Sequence, residues 1–382
     1  MQGADVIIVG GGIAGAGAAY EIAAFASVIL LEREPRCGYH STGRSAASFT
    51  ENYGNAVVRR LAIVSRPFLE NPPPGFCEHA LLTPQPVITI ARTDQLPLLR
   101  QQLDQARALV PSITRIEAAE AVSRVPILRT DYVAGAFIEP HSMEIDVHGL
   151  HQGYLGGARM RGARVVVDAA VIEVERRSEQ WWVTTPAGIF AAPLLVNAAG
   201  AWADVVAEMA GVRPLGLTPK RRTAFTIPLP PGLESRNWPM IDDVAEEFYF
   251  KPDAGRLFVS PADATPSAPH DAYPDDLDVA AGVERLERAT HLNVTRVAHS
   301  WAGLRTFARD ASPVVGLDGD ARGFCWLAGQ GGYGIKTSPA LSRACAALVR
   351  GRPLPEDFAR LAIGADELSP DRLRVCRRVS SV

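Results

Sequence analysis

The most restrictive stretch of this chain is ADVIIVGGGIAGAGAAYEIAAFASVILLERE, residues 4–34. Val6 to Val9 form a short β-branched run of the kind that fills a buried parallel strand. Gly10, Gly12 and Gly15 follow in the spacing GxGxxG. The first glycine suits a tight turn, and the second lets backbone approach a pyrophosphate. A small-residue helix then opens with Ile13 and Ala14, and Ala14, Gly17 and Ala18 permit close packing on the strand. Its N-terminal N–H groups and dipole favour phosphate. A second strand, SVILLE, ends at Glu32, with Arg33 next. A carboxylate there accepts hydrogen bonds from both ribose hydroxyls and repels a 2′-phosphate. A glycine-rich packing turn needs neither the flanking elements nor the acid. The stretch therefore predicts a dinucleotide-binding unit, with NAD and FAD both open on these residues alone.

Composition narrows the remaining choices. The 382 residues are 47% hydrophobic, enough for more than one domain. A net charge of −3 supplies no basic field for nucleic acid. The five cysteines, Cys37, Cys77, Cys325, Cys345 and Cys376, are scattered without a CxxC pair, which argues against a disulfide framework or zinc knuckle. His148 and His151 are read as structural, and no metal site is expected. No basic leader precedes the first strand, and no run of about eighteen apolar residues suggests a transmembrane segment. A cytoplasmic location is expected, or a peripheral one at the inner membrane.

Two further features concern ligands. CGYHSTGRSAASFTENYG, residues 37–54, is rich in hydroxyl and small residues and carries Arg44, so it reads either as a source of donors along an extended ligand or as an ordinary polar surface loop. PKRRTAFTI, residues 219–227, reads as a strand in which Arg221 and Arg222 point to opposite faces. Arg222 shares its face with Ala224 and Thr226, whose small size leaves room for a cavity. A buried guanidinium requires an anion, either an Asp or Glu of the protein or a ligand carboxylate. Arg305, within the apolar strand WAGLRTF, is a second such candidate.

The N-terminal glycines, HSTGRSAA (40–47), VNAAGAWAD (196–204), HSWAGLRTF (299–307) and GQGGYGIKTSP (329–339) together resemble the FAD-dependent D-amino acid oxidase and sarcosine oxidase superfamily. The similarity is strongest to its bacterial D-arginine dehydrogenase branch. It runs nearly end to end through NPPPGFCEH (71–79), HQGYLGGA (151–158), VRPLGLTPKRR (212–222) and LSPDRL (368–373). The resemblance implies non-covalent FAD; residues 304–313 lack the cysteine through which some relatives attach flavin. It places Ser41, Thr42, Gly43, Arg44, Ser45, Ala46, Val171, Ala199, Gly200 and Trp202 on the cofactor. It adds Arg305, Gly331, Gly332, Tyr333, Gly334, Ile335, Lys336 and Thr337 near the flavin. Lys336 would stabilise an anionic reduced flavin, the alternative being a solvated surface lysine.

The fold implied is α/β: a Rossmann-like FAD-binding domain with a second, α+β substrate domain built on an antiparallel sheet. Cofactor motifs occupy residues 1–80, 148–212 and 297–382, and the substrate-binding domain takes 81–147 and 213–296. In the latter, residues 86–91, 132–138, 221–227, 246–252 and 256–260 read as strands. Leu99, Leu103 and Ala106, and likewise Val279, Val283 and Leu286, recur at helical spacing. The Pro- and Asp-rich segment 261–276 reads as a surface connection, with a mobile lid as the alternative.

The same resemblance puts Arg222 and Arg305 on a substrate carboxylate, with Tyr53 and Tyr249 beside it and the Gly332 carbonyl on the amino group. It implies FAD-dependent oxidative deamination of a D-amino acid. Hydride passes from the α-carbon to flavin N5, and the imino acid hydrolyses to a 2-oxo acid and ammonia. No dedicated base is evident. Two positions depart from the D-arginine dehydrogenase pattern: Val87 replaces a glutamate and Ser48 a histidine in the side-chain pocket. Loss of a charge-assisted contact at Val87 removes roughly 1.5–3 kcal/mol, so neutral or apolar side chains are expected rather than D-arginine. The alternatives are oxidation of a secondary amine or N-substituted amino acid, as in sarcosine oxidase, and a flavin-binding subunit without its own turnover. The electron acceptor is either quinone or oxygen.

Overall fold

The computed structural model describes residues 2–374; Cys376 lies outside them. Two sheets organise the molecule. The smaller has six strands in the order 164–166, 28–31, 6–9, 194–197, 324–328, 314–317. Its first five strands are parallel, joined Val6↔Val28, Val6↔Leu194 and Leu195↔Phe324, and the last is antiparallel. Val6–Val9 and Val28–Leu31 are buried throughout, as their unbroken apolar composition requires of a sheet covered on both faces. The helices Ile13–Ile22 and Gly334–Val349 pack together on one face.

Glycine makes the first βα connection possible. Gly10 has φ +106°, and a Cβ on Gly15 would stand 1.8 Å from the Gly10 carbonyl oxygen. The helix therefore lies closer to the preceding turn than any side chain permits. Its N-terminus ends up directly over the carboxyl edge of the sheet, where open α/β sheets bind ligands.

The larger sheet is antiparallel apart from one pairing, Met240–Asp243 alongside Val87–Ala91. Its central members are Thr218–Pro228, Arg256–Ser260, Tyr249–Asp253, Met240–Asp243, Val87–Ala91 and Gly135–Glu139. One face packs Ile88, Ile90, Phe225, Ile241, Phe248, Phe250 and Val259 against helices that include Asp276–Ala289. Leu99, Leu103 and Ala106 are buried along the helix Leu96–Leu109 over the other face. The rest of that face is turned toward the six-stranded sheet.

One element sits differently from its motif grouping. Sequence places His299–Phe307 with the C-terminal cofactor segments. In the structure this strand runs antiparallel to Thr218–Thr226, in register Lys220↔Arg305, Arg222↔Gly303 and Ala224↔Trp301. A strand's own residues do not specify its edge partner. This pairing brings Arg305 and Arg222 onto the same face of neighbouring strands.

Candidate active site

A cavity of about 410 Å³ runs between the two sheets. One end is lined by Gly10, Gly12, Ile13, Ala14, Glu32, Arg33, Val171, Ala199, Gly200 and Trp202. Gly12 is the N-cap of the Ile13–Ile22 helix and has no side chain to cap it, and no acid lies in the first turn. Thr42 Oγ1 accepts from the Ile13 N–H at 3.0 Å. Apart from this one contact the helix end has no side-chain cap, and its positive end faces the cavity. Glu32 is 6% exposed, and its two oxygens accept from Gly11 N at 2.7 Å and Glu34 N at 2.9 Å. Burial pushes this carboxyl above its usual range, opposed by the Glu34 and Gly11 N–H groups. His151 Nε2 meets the Gly11 carbonyl at 2.9 Å and supports the same turn from behind, the structural role expected of it. Among the described residues no cluster of His, Cys, Asp and Glu could hold a metal.

The middle of the cavity is bordered by Ser41, Thr42, Arg44, Ser45 and Ala46. Ser41 Oγ donates to the Leu304 carbonyl at 2.6 Å. Arg44 is committed to protein acceptors: Nη1 donates to the carbonyls of Ala272 and Ala302, and Nη2 pairs with Asp271 at 2.5 Å. It fastens the 261–276 connection to the strand 299–307. The hydroxyl-rich loop therefore has a docking role between sheets as well as a wall toward the ligand.

The far end is lined by Arg222, Ala224, Tyr249, Phe258, Gly303, Arg305, Gly331, Gly332, Gly334 and Ile335. Tyr333 caps a second helix, Gly334–Val349, again without a side-chain cap or a first-turn acid. Arg305 Nη2 stands 3.4 Å from the Tyr249 hydroxyl. A Cβ on Gly332 would lie 2.9 Å from Arg305 Nη1, so the bare backbone lets the guanidinium reach the loop. Tyr53 is within electrostatic reach of Arg305, Arg222 and Tyr249, and burial raises its hydroxyl pKa.

The two adjacent arginines have separate fates. Arg221 Nη2 pairs with Asp278 at 2.7 Å and Asp275 at 3.3 Å, on the helix side of the sheet. Arg222 has no ion pair among the described residues, and its buried Nε has no acceptor. Neither does Arg305 form an ion pair among them.

Several expected contacts lie off the cavity wall. Gly15, Gly43, Tyr333 and Thr337 sit behind it, shaping turns and the helix start. Val87 is packed with Ala224, Met240, Tyr249 and Phe258, forming an apolar floor. Ser48 lies in the short strand Ser48–Phe49, and its buried hydroxyl is unpartnered. Lys336 is not the solvated surface lysine of the alternative reading, being 3% exposed. Its Nζ donates to the carbonyls of Thr50 and Tyr53 at 2.7 Å each, so it neither lines the cavity nor faces solvent. Helical geometry turns position 336 away from the cavity that Gly334 and Ile335 border.

Asp242 is a further buried acid at this end, for which the sequence carries no motif. It lies directly opposite Tyr249 in the antiparallel ladder, on the face that carries Met240. Burial holds its carboxyl up at about 7, helped by Glu246 and opposed by Arg222. Only the strand register could have exposed it.

A helix N-terminus beside a buried acid at one end, and at the other two guanidinium groups without ion pairs among the described residues, define an elongated cavity of the shape and charge that a dinucleotide-dependent enzyme presents. The family model described as DAO, FAD dependent oxidoreductase, matches residues 5–348, and the chain belongs to that family. Glycine oxidase from Geobacillus kaustophilus is 24% identical over 378 residues, covering 94% of this chain and 96% of the relative. Rat mitochondrial dimethylglycine dehydrogenase is 25% identical, covering 87% of this chain but 41% of its own length. The fold is shared with the crystal structure of that glycine oxidase, at TM-score 0.80 and 23% identity over 95% of this chain and 99% of the other. It is shared too with L-proline dehydrogenase from P. horikoshii, at TM-score 0.83 and 19% identity over 98% of each chain.

FAD is the cofactor of this family, and the residues present fit it. The Gly12 helix end and Glu32 suit pyrophosphate and ribose, and the second uncapped helix end suits negative charge on a reduced ring. Among the described residues no helix is long and apolar enough to cross a membrane.

Proposed function

We propose that the protein oxidatively deaminates D-amino acids to 2-oxo acids and ammonia. The observation that carries this reading is the pair Arg222 and Arg305, on one face of adjacent strands, lining the cavity and without an ion pair among the described residues. A substrate carboxylate supplies the missing partner through bidentate hydrogen bonds. Tyr249, already against Arg305, and Tyr53 add hydroxyl donors at the same end. The Gly332 carbonyl receives the amino group, fixing the α-carbon between two anchors. FAD, when bound, supplies the hydride acceptor. The amine reacts as the neutral base, releasing one proton, and the imino acid then hydrolyses. The apolar floor of Val87, Met240 and Phe258 supports neutral or apolar side chains.

Anaerobic bleaching of the flavin tests the proposal. D-Methionine or D-leucine should bleach it while their L-enantiomers do not. The dimethylglycine and sarcosine dehydrogenases among the relatives favour a second reading, oxidation of a secondary amine. Bleaching by sarcosine with no response to primary D-amino acids would select that alternative. Reoxidation by air against reoxidation by a quinone identifies the acceptor.

A further inference from the structure

Lys336 occupies an adverse place. It is 3% exposed in the first turn of the Gly334–Val349 helix, where the dipole already contributes positive charge. Burial pulls its ammonium down to about 7, against the attraction of Glu139. An apolar side chain would fill this position without the desolvation cost. What the ammonium contributes is its pair of carbonyl contacts, to Thr50 and Tyr53. It also stands 5.4 Å from the Tyr53 ring centroid and 5.7 Å from that of Tyr333.

Glu139 meets the same segment through other groups. It ends the strand Gly135–Glu139 and is 5% exposed. Its Oε2 accepts from Thr50 Oγ1 at 2.6 Å and its Oε1 from Glu51 N at 3.0 Å. Thr50 Oγ1 accepts in turn from Asn52 N at 3.1 Å. Residues 50–53 are thereby fixed at both ends, to the helix that borders the cavity and to the larger sheet. The Tyr53 ring rests edge-on against Tyr333, centroids 5.1 Å apart.

We propose that Lys336 and Glu139 are positioning residues, which hold Tyr53 toward Arg305 by gripping the backbone of residues 50–53. The inference rests on the reading that Tyr53 and the two arginines receive the substrate carboxylate. Lys336 is not among the residues that line the cavity, and it acts through Tyr53.

The test is a double-mutant cycle with K336M, Y53F and the combined variant, read as the dissociation constant of D-methionine from anaerobic flavin titration. K336M should retain flavin and weaken binding about tenfold, the worth of one hydrogen bond to a charged group. Added to Y53F it should weaken binding little further, because both changes remove the same contact. K336Q, which keeps an amide donor, should recover part of the loss. Unchanged affinity in flavin-loaded K336M, or effects of K336M and Y53F that multiply, would overturn the proposal. Should K336M fail to fold, E139Q in the same cycle with Y53F gives the second measurement, with a smaller loss and the same non-additivity expected. R222M separates the underlying reading: unchanged D-methionine affinity in R222M sinks the carboxylate site, whereas loss there without loss in K336M sinks only the clamp.

Discussion

Arg221 and Arg222 are consecutive on one strand, yet their replacement by methionine should act in opposite ways. Arg222 lines the cavity with a buried Nε lacking an acceptor and no ion pair among the described residues. Breaking a buried pair typically costs 3–5 kcal/mol because the abandoned partner stays charged. Here no carboxylate among the described residues is in ion-pair contact with Arg222, and Asp242 and Asp263 feel its charge only at longer range, so Arg222→Met should change the thermal midpoint little. The substrate, by contrast, loses a bidentate contact to its carboxylate. At about 3 kcal/mol for charged hydrogen bonds, with Arg305 still present, affinity should fall roughly 150-fold. Arg221→Met reverses the pattern. It deprives Asp278 and Asp275 of their cation, so it should lower the midpoint and leave affinity within twofold. Melting curves and anaerobic titration with a D-amino acid, run on both variants, read the two effects separately. A clear loss of stability in R222M, with substrate affinity preserved, would show that Arg222 serves a protein carboxylate and refute the reasoning.

Three other outcomes follow from the same geometry. Glu32→Ala leaves the Gly11 and Glu34 N–H groups without their acceptor and removes the ribose contact proposed for it, so flavin should bind at least tenfold more weakly, measured by its fluorescence on release. Asp242 ionises near 7 among Glu246, Asp243 and Glu139, with Arg222 opposing them. Protonated below that pH and anionic above it, Asp242 should make substrate affinity fall as pH rises through 7, and Asp242→Asn should flatten the profile. Its folded pKa lies above the unfolded value near 3.8, so its contribution to stability is present at low pH and lost as pH rises toward 7. Gly15→Val drives a side chain into the Gly10 carbonyl, 1.8 Å from the Cβ position, and should yield protein without flavin or no folded protein, visible in the absorbance spectrum of the purified chain.

The cofactor end was legible in sequence because its constraints are local. Gly10, Gly12 and Gly15 act on a single turn, and Glu32 follows at the end of the next strand, so spacing along the chain is nearly spacing in space. The small neighbours of Arg222 likewise indicated its inward face. The substrate end depends on how distant strands align. Arg305 joins Arg222 only because 299–307 pairs with 218–226, and Asp242 reaches Tyr249 only through the register of two short strands. Lys336 shows the limit most plainly. Its chemistry as a cation was readable from one letter, but what it holds is the backbone of residues 50–53, nearly three hundred positions away. Short-range steric rules are written in neighbouring residues; the choice of an electrostatic partner is made only when the chain closes on itself.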